Sequence, residues 1–127
     1  MIGQSNLKSI NITDKKLIIE TKNEIKFFCI PGDKRIAPIG ILNFSDYEYQ
    51  ETTLVCDLMQ GKKCFYDVGA NIGWYSLNIS KKNKNASIYS FEPIKKTYEY
   101  LVKNIKLNNF QNIKAYNFGL SNKKGSF

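Results

Sequence analysis

The sequence predicts an α/β fold, a Rossmann-like parallel sheet with helices on both faces, preceded by a small antiparallel β extension. Three observations carry this. Apolar runs at 62–68, 87–91 and 113–118 alternate with segments of helical spacing, and β-α-β-α-β order with short connections implies right-handed crossovers and a parallel sheet. The first run ends in D-V-G-A-N-I-G, a side-chain-poor loop at the strand end where such folds bind ligands. And 127 residues with 43% hydrophobic content suffice for one compact domain with a core.

Residues 7–30 read as a three-strand meander, LKSINIT, KKLIIETK and IKFFCI, because Ile- and Phe-rich runs with partial alternation are separated by polar breaks. Pro31-Gly32-Asp33 ends it, and the stretch to Phe44 reads as loop with one short strand at 39–42. Ser45-Asp46-Tyr47-Glu48 has the form of a capping box, in which Ser45 accepts from the Glu48 amide. The helix it opens should bury Leu54, Val55, Leu58 and Met59 and close at Gly61. Strand 62–68 follows, then a helix over 72–82 and strand 87–91. Pro93 is expected in the first turn of a helix that buries Tyr98, Leu101, Val102 and Ile105 and ends at Asn108-Asn109. The last strand is IKAYNF. The division is therefore an N-terminal meander, 1–44, and the first half of a Rossmann-like domain, 45–127, with strands in the order 3-2-1.

The formal charge of +8 raises the question of a nucleic-acid partner. Only Arg35 among the basic residues carries a guanidinium; the other 18 are lysines scattered along the chain, which suits a solvated surface better than a specific nucleic-acid site. Lys, Asn and Ile number 18, 14 and 16, a bias that looks compositional. Cys29, Cys56 and Cys64 sit among apolar neighbours, and with no histidine no metal site is expected. Reduced thiols, the lack of an apolar leader and the lack of a membrane-length apolar run together suggest a cytoplasmic protein without a membrane span. Nothing in the sequence speaks to oligomeric state.

In the loop, Gly69 and Gly73 remove side chains where the backbone turns and approaches a ligand, and Asn71 tolerates a left-handed conformation. The helix start behind it suits a carboxylate or phosphate. The spacing G-x-N-x-G is neither the G-x-G-x-x-G of nicotinamide and flavin sites nor a phosphate loop, since Trp74 follows Gly73 where that loop needs Lys. Asp67 would repel a pyrophosphate but attract an ammonium group.

F-Y-D-V-G-A-N-I-G-W-Y-S, then S-F-E-P at the next strand end, then a helix ending K-N-I-K-L-N-N, closely resembles the FkbM family of S-adenosylmethionine-dependent methyltransferases, from about Tyr47 to Phe127. The resemblance implies that Asp67, Gly69, Ala70, Asn71 and Gly73 hold the methionine end of the cofactor. It implies that Glu92, followed by Pro93, accepts the ribose hydroxyls, and that Gly119 and Leu120 border the adenine. Glu51 and Trp74 are candidates for the rim. The activity implied is O-methylation of a sugar or secondary-metabolite hydroxyl, with a small-molecule or glycan acceptor. The competing readings are an RNA or protein methyltransferase and an inactive binding module. The family's sheet continues past a third strand, so the chain is expected to be an N-terminal fragment that binds cofactor weakly and turns nothing over. No catalytic base is evident.

Overall fold

A computed structural model describes residues 6–13, 16–32, 37–44, 47–123 and 125. The meander consists of β1 (Leu7–Thr13), β2 (Lys16–Thr21) and β3 (Lys26–Phe28), antiparallel and adjacent in chain order. The parallel sheet consists of β4 (Cys64–Val68), β5 (Ser87–Phe91) and β6 (Ile113–Tyr116), with β5 in the centre, which is the expected 3-2-1 order. The helices are α1 (Ala37–Phe44), α2 (Tyr49–Leu58), α3 (Trp74–Lys82) and α4 (Lys95–Leu107).

Several expectations are corrected. Residues 37–44 form a helix where a loop and short strand were expected. Pro38 lies in its first turn, where the missing N–H costs nothing, and Ile41 is buried at 1% exposure. Ser45 lies outside the described residues, and α2 begins later than the capping-box pattern implies. Its N-cap is Glu48, left-handed at φ 45° and making no side-chain cap bond. The buried face of α2 is also rotated. Met59 is inside as expected, but Cys56 joins it, whereas Leu54 and Leu58 are 59% and 64% exposed. Pro93 precedes the Ile94 N-cap of α4, so it stands outside the helix and not in its first turn. Cys64 is exposed, unlike Cys29 and Cys56.

Helices were expected on both faces of the sheet, but among the described residues they cover one. Crossovers between parallel strands are right-handed as a rule, and both here step in the same direction, from β4 to β5 to β6, which puts α3 and α4 on the same side. Strand alternation follows from this. Asp67, Ile88, Ser90 and Ile113 are buried under the helices, while Tyr66 and Val68 on the other face are 63% and 60% exposed. Tyr66 stacks on Tyr89, and Phe91 on Tyr116, each pair at 5.3 Å, so the open face is an aromatic ladder.

The meander shares one hydrophobic core with the sheet and its helices: Ile19, Ile25 and Phe27 cluster with Trp74, Leu77 and Leu101, all at 6% exposure or less. Asparagines make the join. On α4, Asn104 and Asn108 stand one turn apart and pair with the free edge of β3 as a strand would. Asn104 Oδ1 accepts from Phe28 N–H at 2.9 Å. Asn108 accepts from Lys26 N–H and donates to Lys26 C=O, both at 2.8 Å. What looks like compositional bias in the sequence is, at these positions, edge protection.

Candidate active site

The site is built where β4 and β5 end. Gly69 and Ala70 N–H groups both donate to the Phe91 carbonyl at 2.9 Å, which bends the chain over the strand tips. The bend needs left-handed backbone at Gly69 (φ 78°), Asn71 (φ 51°) and Gly73 (φ 96°), as the residue types suggest. The two glycines serve different ends. A Cβ at Gly69 would meet nothing within 4 Å, so the backbone there is open to a ligand. One at Gly73 would stand 2.5 Å from Leu77 Cδ1 and 2.7 Å from Leu101 Cδ1. Gly73 therefore allows α3 to pack against α4, rather than a ligand to approach.

Both acidic residues are buried and both hold backbone. Glu92, 5% exposed, accepts from Asn71 N–H through Oε2 and from Ile94 N–H through Oε1, each at 2.9 Å, so one carboxylate fastens the glycine loop to the start of α4. Asp67, 7% exposed, accepts from the Ser76 hydroxyl at 2.5 Å and the Ser76 amide at 3.2 Å. Ser76 in turn meets Ser90 at 2.6 Å, so Asp67 ties the first turn of α3 to the sheet. Burial pushes the Asp67 carboxyl above its ordinary range; the bonds from Ser76 oppose this, and the nearby charge of Glu92 adds to it.

A pocket of about 170 Å³ lies against the loop, lined by Tyr47, Glu48, Gly69, Ala70, Asn71, Ile72, Trp74 and Tyr75. It brings together three of the expected cofactor residues. Trp74, expected at the rim, lines the pocket but is 6% exposed. It is fixed by stacking on Phe27 at 5.3 Å and by donating Nε1–H to Thr52 Oγ1 at 2.8 Å. Glu51 is exposed and does not line the pocket; Glu48 does, and accepts from the Tyr75 hydroxyl at 2.6 Å. Pro93 is exposed beside Glu92, and Gly119 and Leu120 lie past β6, away from the pocket lining. Sequence reasoning missed Asn117, whose amide donates to the carbonyls of Glu92 and Pro93 at 2.8 and 3.1 Å and so holds the β5 tip against β6. It also missed Asn104, which donates to the Ile72 carbonyl of the loop. Only the helical spacing of Asn104 with Leu101 and Ile105 signals that an asparagine there is buried.

Parallel strands, a glycine loop after the first of them and a buried carboxylate at the tip of the second define a nucleotide-type α/β site of the methyltransferase class. Residues 35–121 match the model of the TRM5/TYW2 methyltransferase domain, and the chain belongs to that family, whose methyl donor is S-adenosylmethionine. Methyltransferase sdnD of Sordaria araneosa is 41% identical over 61 residues, 47% of this chain and 24% of that protein. Among solved structures, Pyrococcus horikoshii TYW2 in complex with MeSAdo superposes with a TM-score of 0.63 at 22% identity, over 86% of this chain and 38% of the other. Trm5b of Pyrococcus abyssi gives 0.56 at 20% identity, over 85% and 34%. At those identities the likeness is one of fold. The chain spans about a quarter of the length of the curated relative. The family shown is thus TRM5/TYW2; membership of FkbM, whose motifs the sequence resembles, is not shown, and the expected cofactor is the same.

Proposed function

We propose that this chain is the cofactor-holding half of an S-adenosylmethionine-dependent methyltransferase. The observation that carries the reading is the join at the strand tips, where the carboxylate of Glu92 holds the amide of Asn71 beside the open backbone of Gly69. The donor set fits the cofactor. A carboxylate offers about four lone-pair sites, and Glu92 uses two, which leaves capacity for the ribose hydroxyls. Gly69, Ala70 and Asn71 line the pocket for the amino-acid end, and Gly119 and Leu120, past β6 and outside that lining, would border the adenine. Asp67 and Gly73 act at one remove: the first sets the start of α3 and the second lets it pack. Pro93 ends the β5 tip so that Glu92 stays at the edge.

When bound, S-adenosylmethionine supplies a sulfonium methyl group open to in-line displacement. The residues of this chain bind and orient it, which is the larger part of what such a transfer asks of a protein.

Two acceptor classes rest on different observations. The TRM5/TYW2 match favours RNA. The D-V-G-A-N-I-G and F-E-P motifs favour a sugar or secondary-metabolite hydroxyl, through their resemblance to FkbM. Three unpaired cysteines support a cytoplasmic site of action for either. No helix among the described residues is long and apolar enough to cross a membrane.

Parallel titration with S-adenosylhomocysteine and NAD tests the cofactor. Binding of the first alone is expected, and binding of NAD alone would overturn the reading. Transfer of labelled methyl to an RNA pool and to a panel of glycans and polyols then separates the acceptors.

A further inference from the structure

The methionine end of the cofactor carries an ammonium group, and the acidic residue expected to receive it, Asp67, has its described bonds to Ser76. Another carboxylate faces the pocket. Glu48 lines it together with the glycine loop, and it is held there by phenols. The Tyr75 hydroxyl donates to Glu48 Oε2 at 2.6 Å, and Tyr47 makes a side-chain hydrogen bond to the same carboxylate. Burial raises the pKa of both phenols, and the hydrogen bond and charge of Glu48 raise them further, so both remain protonated donors.

Two features distinguish this carboxylate from a capping residue. It occupies the N-cap of α2 in a left-handed conformation, uncommon for glutamate, and its side chain makes no cap bond. And in a chain of net charge +8, none of the ion pairs among the described residues includes Glu48, whereas Glu20 and Glu24 both pair with lysines. Among the described residues it is a carboxylate lining the pocket that is held by phenols and not by an ion pair.

The pocket's size narrows what cation it takes. At about 170 Å³ it is smaller than the roughly 300–1,000 Å³ that encloses a whole drug-sized ligand, so it admits one end of a nucleoside cofactor. We infer that Glu48, positioned by Tyr47 and Tyr75, binds the ammonium of the cofactor's amino-acid end, an assignment that rests on the methyltransferase reading. Glu48 would then face the loop backbone across the pocket, and binding would link the start of α2 to the glycine loop through the ligand.

The test is calorimetry on the full chain with two probes, S-adenosylhomocysteine, which has the ammonium, and methylthioadenosine, which lacks the amino-acid end. Glu48→Gln should weaken the first at least tenfold, the usual size of a lost charge-assisted bond, and leave the second within twofold. Tyr75→Phe, which keeps the charge but loosens it, should weaken S-adenosylhomocysteine by a smaller factor. Equal loss of both probes in Glu48→Gln would overturn the inference by showing that Glu48 acts on the loop or fold. No loss of either would overturn it by placing the ammonium elsewhere. If the unaltered protein binds neither probe, the methyltransferase reading itself fails, and the inference with it.

Discussion

At the carboxyl ends of the parallel strands a pocket of about 170 Å³ is enclosed by bonded backbone, while at their amino ends a cleft of about 670 Å³ opens among Lys62, Lys63, Lys82, Asn83 and Asn85. The larger is the weaker candidate for chemistry. Among the described residues those three lysines form no ion pair, and Asn83 is spent on the carbonyls of Met59 and Lys62. At the small pocket a bent loop, the Glu48 carboxylate and two phenols converge, and the buried Glu92 and Asp67 hold the backbone of the loop and of the α3 start behind it. The comparison teaches that in this fold a site is marked by how many polar groups are committed to holding its shape, and not by volume. Parallel strands direct their loops to one end, and that is where such groups collect.

Substitutions at the two ends should therefore differ sharply. Gly73→Ala has the largest expected effect, because it combines a positive φ with contacts to two fully buried leucines; a loss of about 2–4 kcal/mol in chemical denaturation is expected. Glu92→Ala strands two amides and should cost about 1–3 kcal/mol while weakening S-adenosylhomocysteine at least tenfold. Loss of stability without loss of binding would reduce Glu92 to a clamp on the loop.

Asp67→Asn should act through pH. The folded carboxyl titrates above its unfolded counterpart, so the native state binds the proton more tightly. The contribution of Asp67 is therefore most favourable below the unfolded value and is lost as pH rises through the raised folded one. Melting temperatures of the two proteins across the acid range should differ most at the acid end, in favour of the aspartate, and that difference should shrink towards neutrality. A difference constant with pH would exclude ionisation of Asp67 as the cause. The smallest effect is expected at the other end of the sheet. Replacing Lys62, Lys63 and Lys82 together by alanine should change stability by no more than about 0.5 kcal/mol and leave S-adenosylhomocysteine affinity unaltered. A tenfold loss of affinity there would break the contrast between the ends.

Strands β4 and β5, helix α3 and the glycine loop were legible because their signals are local: an apolar run, a helical period, residues that tolerate positive φ. Helix α1 was missed because the short apolar run at 39–42 suits a strand as well as a helix, and only the structure shows Pro38 in a first turn and the Tyr47 ring packed against Gly40. The face of α2 was misjudged for a related reason. Leu54 and Leu58 are more apolar than Cys56, yet packing against the neighbour α3 buries Cys56, together with the expected Met59, and leaves the two leucines out. Asparagine misled most, because nothing in a residue count separates a solvated amide from one that closes a strand edge.

Sequence by itself determined the order of the elements from α2 onward, the end of the sheet at which the glycine loop stands and the residue types of that loop, since each follows from interactions along a short stretch of chain. Only the tertiary structure decided what the acidic side chains hold. Asp67 meets Ser76 across a turn, Glu92 meets Asn71 from the next strand, and Glu48 meets Tyr75 from a different helix. A carboxylate's role is set by the donors within about 3 Å of it, and folding, not proximity in sequence, brings those donors there.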